Sequence, residues 1–191
     1  MSLNEQIAVQ CAPLLAGLKP SNLLIISAGQ EENLGRTLKG TEVAGYLLSE
    51  YDGKQVFLLY QRKKLQCYLG RPEVQKLLWE LGYEENSLNF LLGRVSEKYT
   101  AHKQEKKEFP HELGLLLGYP AVDVRGFMEH DGKDFLYSGY WKVYGNVGET
   151  LSLFREFGRA KETILQLVSM GYSIEETRNI YYNKNLRLAA G

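Results

Sequence analysis

Two short apolar runs most constrain how this chain can fold. Asn22–Ala28 (N-L-L-I-I-S-A) lies between Pro20 and Gly29, and Gln55–Tyr60 (Q-V-F-L-L-Y) follows the turn signal Asp52-Gly53. Continuous apolar runs of this length, bounded by breakers, suit strands buried on both faces, and such strands need helices to cover them. A third strand is expected at Leu65–Leu69, where Leu65, Cys67 and Leu69 alternate with Gln66 and Tyr68, pairing with 55–60 as a hairpin across Gln61–Lys64. A fourth is expected at 136–144, with Tyr140, Lys142 and Tyr144 facing opposite to Trp141 and Val143.

The remaining chain carries helical periodicity. Apolar positions Ile7, Cys11, Leu14 and Leu15 predict a helix over 4–16 broken by Pro13, and a polar loop spans 30–40. Thr41 reads as the N-cap of a helix over 41–50, and Pro72 opens a helix over 72–82 with Val74, Leu77, Leu78 and Leu81 on one face. Further helices are expected over 87–103, 110–117, 120–129, 147–170 and 173–183, the last opened by the capping box Ser173–Glu176. Residues 186–191 read as a loose tail. The expectation is a single α+β domain over 1–185. Its small mixed sheet of about four strands, mainly from 22–70 and 136–144, is covered by helices.

Composition narrows the function classes. Lys and Arg number 23 and Asp and Glu 23, and a net charge of zero argues against a dedicated nucleic-acid binder, whose affinity rests on a net-basic face. No apolar run approaches the roughly 18 residues a membrane span needs, so no membrane partner is expected and the expected location is the cytoplasm. Cys11 and Cys67 stand far apart with no second cysteine nearby, which argues against a disulfide framework or a cysteine zinc site.

The special-purpose residues crowd into Phe109–Tyr144. His111-Glu112 lacks the second histidine of a zincin, since that position is Leu115. His111 is still a candidate acid or base, with Glu112, Asp123 or Lys142 in support. His102, His111 and His130 with Asp123, Asp131 and Asp134 would form a nitrogen-and-oxygen metal site only if at least three converged; no metal ligand set is assigned. Gly35–Thr41 has the glycines of a phosphate loop but not its lysine, and no motif names a cofactor. Tyr119, Tyr140, Trp141 and Tyr144 are the candidate binding residues, an aromatic group suited to a pocket wall or a docking face, while packing of Trp141 in the core is the plainer role.

The residues F-P-H-E-L-G-L-L-L-G-Y-P-A-V-D-V-R-G-F (109–127) and G-Y-W-K-V-Y-G (139–145), with the opening C-A-P-L-L-A-G-L-K-P-S-N-L (11–23), resemble a bacterial family known as domain of unknown function 3793. The resemblance covers most of the chain. It implies a stand-alone cytosolic protein of anaerobic Gram-positive bacteria with no assigned activity, and so carries over no catalytic residue. The first functional expectation is a non-enzymatic binding or regulatory protein, with its site where the Phe109–Tyr119 helix meets the Tyr140–Tyr144 strand and a protein or small molecule as partner. The alternatives are a small enzyme using His111 as acid or base, and a His/Asp metal-binding protein.

Overall fold

The computed structural model describes residues 1–85 and 87–189, with side chains up to residue 183. The helices are α1 (Leu3–Leu15), α2 (Glu31–Leu38), α3 (Arg62–Leu69), α4 (Pro72–Glu80), α5 (Leu88–Glu105), α6 (Leu113–Leu116), α7 (Ala121–Glu129), α8 (Val147–Ser169) and α9 (Ile174–Ala189). The strands are β1 (Ser21–Ser27), β2 (Ala44–Tyr51), β3 (Lys54–Tyr60), β4 (Tyr137–Ser138) and β5 (Lys142–Val143). This is an α+β protein. It divides into two compact units, Met1–Gln61 together with the chain from Glu156 onward, and Arg62–Arg155.

In the first unit β1, β3 and β2 lie in that order, all antiparallel. β3 is the central strand, and Gln55 to Tyr60 are all buried. Asp52 and Gly53 join β2 to β3 with φ of 49° and 67°, the mirror-image turn whose twist suits a two-residue hairpin. On one sheet face Leu24, Ile26, Phe57 and Leu59 share a core with Ile7 and Leu15 of α1, Leu34 of α2, Ile164 of α8 and Ile174 of α9. Pro13 removes a helical hydrogen bond from α1, and Cys11 leaves helical geometry there with φ −122°. The Ser2–Glu5 and Ser173–Glu176 pairs form reciprocal capping boxes at the starts of α1 and α9.

The second unit is mainly helical. Pro72 occupies the first turn of α4, and Gly118, at φ 73°, ends α6 by letting Tyr119 N–H reach back to the Gly114 carbonyl at 3.0 Å. β4 and β5 form a separate two-stranded antiparallel ribbon.

Several elements differ from the sequence reading. The expected helix over 41–50 is instead mostly strand, β2 from Ala44: the Asp52-Gly53 turn folds it back onto β3, and Thr41 closes a turn, donating to the Leu38 carbonyl at 2.6 Å. Residues 65–69 are helical, because Leu65, Tyr68 and Leu69 also satisfy the i, i+3, i+4 spacing and bury together in α3 while Cys67 is exposed. The sheet is therefore antiparallel rather than mixed, with three strands. The 136–144 segment adds none to it, because the chain reverses around Gly139 and pairs with itself. The expected polar loop at 30–40 contains α2, which buries Leu34 and Leu38 one turn apart. The expected helix over 110–117 shrinks to α6, since Leu113, Gly114 and Leu115 donate three residues back, to Pro110, His111 and Glu112, in a tight 3₁₀ pattern. α9 continues to Ala189, into the expected tail, whose residues 190 and 191 lie outside those described.

Candidate functional site

Asp123 stands in the first turn of α7 and is only 2% exposed. Its Oδ2 accepts the Trp141 Nε1–H at 2.7 Å, and its Oδ1 accepts the backbone N–H groups of Tyr144 at 2.8 Å and Gly145 at 3.0 Å. A buried carboxylate needs such donors to replace water. Trp141 stacks on Tyr119 with centroids 4.8 Å apart and meets Phe154 edge-on at 4.6 Å. The Tyr119 carbonyl accepts the Tyr68 hydroxyl. Glycines admit this close packing: a side chain at Gly126 would overlap the Tyr144 ring, and one at Gly139 would overlap Phe154. The structure thus gathers Asp123, Tyr119, Trp141 and Tyr144 into one joint that ties the start of α7 to the end of the β4–β5 ribbon.

Lys142 lies apart from that joint. Its Nζ donates to the Gly132 carbonyl at 2.5 Å and stands over the Phe127 and Phe135 rings, 5.6 and 4.9 Å from their centroids. Tyr140 points outward beside Phe154, on a ribbon that also exposes Phe135, Leu136 and Tyr137. His130 stacks on Tyr144, with its Nδ1 3.7 Å from an Asp134 carboxylate oxygen.

His111 and Glu112 belong to a different place, a cavity of about 530 Å³. Leu81, Ala101, Phe109, Pro110 and Met128 give it apolar walls, and Lys98, Lys107, Glu108, His111 and Glu112 supply its polar groups. The 3₁₀ turn at Pro110 sends the two adjacent side chains into different environments. Glu112 is 4% exposed, and its Oε1 accepts both the Tyr83 hydroxyl and the Lys98 ammonium, the latter at 2.6 Å. Burial pushes this carboxyl up, but the bonds from Lys98, Tyr83 and its own backbone N–H outweigh that and hold it below the usual carboxylate range. Burial, and the bond to Glu112, push the Tyr83 hydroxyl above the usual phenol range. Lys98 is also 4.9 Å from the centroid of the Tyr83 ring.

The His111 imidazole is half-buried between two rings, Phe109 at 5.9 Å and Phe127 at 5.6 Å. Among the described residues no side chain hydrogen-bonds its nitrogens. It therefore meets one requirement of a general acid or base, an opening onto a cavity, and lacks the other, a polar partner within hydrogen-bond reach. Neither Asp123 nor Lys142 serves it: Asp123 is held by Trp141, and Lys142 donates to the Gly132 carbonyl. Among the described residues no three of His, Cys, Asp and Glu gather as a metal ion would require, so the three histidines and their aspartates do not form the ligand set considered from sequence. Also among these residues, no helix is long and apolar enough to cross a membrane.

Sequence reasoning missed Tyr83 and Lys98, and the role of Phe109 as a cavity wall. The first two meet Glu112 across 29 and 14 residues of chain, with no local pattern to announce them. Phe109 was named only as the start of the helix expected to carry the site.

A three-stranded antiparallel sheet under helices, together with a helical unit built on buried carboxylates, defines the class: an α+β protein whose signature segment carries both a packed joint and a cavity. Residues 7–177 match the model of the family described as Protein of unknown function (DUF3793), and the chain belongs to that family. No curated protein and no solved structure matches it.

Proposed function

We propose that the chain is a non-enzymatic binding protein that takes a small organic molecule into the cavity beside His111 and Glu112. One observation carries this reading: an imidazole with no side-chain hydrogen bond among the described residues opens onto an apolar-walled cavity of about 530 Å³. Small-molecule sites are of this kind, roughly 300–1,000 Å³, apolar, with a few convergent polar groups. The site lies at the start of the signature segment, not at the meeting of Tyr119 with Trp141, where the rings already pack on each other. The aromatic strand residues support the cavity indirectly, by fixing α7 and with it Met128.

The test is a fragment screen followed by NMR on the full chain. Binders should shift the His111 and Phe109 resonances, and Met128→Trp, which fills the cavity, should weaken them by about tenfold or more, the loss of roughly 1.4 kcal/mol. Binding that leaves those resonances still, or that survives Met128→Trp unchanged, removes the reading. His111→Gln separates the enzymatic alternative, because a substrate turned over by an acid or base at His111 would still bind while its conversion ceased.

A further inference from the structure

The charges around the cavity are unequally engaged. Lys98 is bonded to Glu112 at 2.6 Å and lies over the Tyr83 ring, and Lys107 is bonded to Glu105 at 2.6 Å. Both cations of the lining therefore already face a carboxylate. The acids do not balance in the same way. Glu108 is exposed and has no ion-pair partner among the described residues, and at Glu112 both side-chain donors use Oε1, so no other described residue donates to Oε2. Counting the partners, three carboxylates stand against two ammonium groups.

The walls favour the same sign of ligand. Phe109 is held edge-on by its neighbours Tyr99, His102 and His111, at interplanar angles of 71°, 87° and 65°. Aromatic faces carry negative potential and attract cations, most of all where water is partly excluded. The Met128 thioether adds a polarizable wall. An anionic ligand would have to draw Lys107 from Glu105, or Lys98 from a carboxylate that is almost wholly buried and would be left uncompensated.

Resting on the cavity reading above, we propose that the ligand is an organic cation, an ammonium or guanidinium group carried on an apolar body, with its charge set between Glu108 and the Oε2 of Glu112 and its body against Phe109, His111 and Met128. The ionised state in which Glu112 is held at neutral pH is consistent with this assignment.

Three probes of one shape test it: 4-phenylbutylamine, 4-phenylbutanol and 4-phenylbutyrate, each titrated into the full chain at neutral pH and low salt. Affinity is read by calorimetry, and the place of binding by the His111 and Phe109 resonances. The amine should bind about tenfold tighter than the alcohol, and the butyrate weakest. Glu108→Gln, at an exposed position where folding is not at stake, should cut the amine's advantage over the alcohol by about threefold. Glu112→Gln should cut it further where the variant folds. An alcohol that equals the amine, a butyrate that binds tightest, or an amine advantage unchanged in Glu108→Gln overturns the cation assignment and leaves the cavity reading standing. Silence at His111 and Phe109 from all three probes overturns both.

Discussion

The two units solve the problem of burying charge in opposite ways. In the first, the buried charged side chains among the described residues are cations: Arg178 donates to the Leu15 carbonyl at the end of α1 at 3.2 Å, and Lys19 is buried just beyond the same helix end. In the second they are carboxylates, Asp123 and Glu112. A helix C-terminus presents unpaired carbonyls and partial negative charge, so a cation there completes the main chain. A carboxylate needs donors, and Asp123 collects three from an indole and two backbone amides. The first unit thus adds charge at the margin of an apolar core that is cohesive without it. The second hangs its signature segment on one acid. The expectation is that the first unit tolerates change at its charged positions and the second does not.

The sharpest test of that contrast is Asp123→Ala beside Arg178→Met. Removing the Asp123 carboxylate orphans the buried Trp141 indole N–H and two part-buried backbone amides and should lower stability by about 3 kcal/mol. Arg178→Met keeps the apolar stem and loses one hydrogen bond, for about 1–2 kcal/mol. Urea unfolding measures both, and equal losses would erase the distinction. Glycines sharpen it next. Gly126→Ala forces a methyl into the Tyr144 ring and should cost about 1–3 kcal/mol, whereas Gly158→Ala, in the part of α8 that belongs to the first unit, meets nothing within 4 Å and should gain about 0.5–1 kcal/mol of helix propensity. Two losses of similar size would refute the difference in packing between these two glycines.

The smallest effect is the pH dependence, and its windows differ between the units. The Glu112 carboxyl is depressed in the folded chain, so its contribution is present above the unfolded value and fades as pH falls below about 4.5 through the lower folded one. Burial lowers the Lys19 ammonium from 10.5 to about 8, so the folded chain releases that proton first and stability rises from about pH 8 toward 9. Above 9.0 the Cys11 thiol, pushed up to about 12 by burial, acts in the opposite sense, since the unfolded chain then loses its proton first. Lys19→Met should flatten the rise between 8 and 9 and leave the acid limb alone. A rise that persists in the variant assigns it to another group.

The elements legible in the sequence were those fixed by near neighbours. The capping box at Ser173, the proline opening α4, the Gly118 stop and the alternation of Trp141 and Val143 against Tyr140 and Tyr144 all depend on residues a few positions apart. Where two periods fit the same letters, distance decided. Leu65, Tyr68 and Leu69 satisfy a helix as well as Leu65, Cys67 and Leu69 satisfy a strand, and Tyr46 and Leu47 became strand residues because β3 was there to pair with them. The candidate site divides on the same principle. Asp123 and Trp141 were both named, but the 18-residue span between them hid that they bond to each other. His111 and Glu112 were named as a pair, yet the 3₁₀ turn gives Glu112 to Tyr83 and Lys98 and leaves His111 to the rings.

The first unit is discontinuous in the chain, and synthesis has a direction. Leu24, Ile26, Phe57 and Leu59 leave the ribosome about a hundred residues before Ala160, Ile164, Val168 and Ile174, which complete their core. At roughly 5–20 residues per second, that part of the sheet waits about 5–20 s for its cover. During that interval the whole of Arg62–Arg155 emerges and can fold, so the unit that starts first is the one finished last.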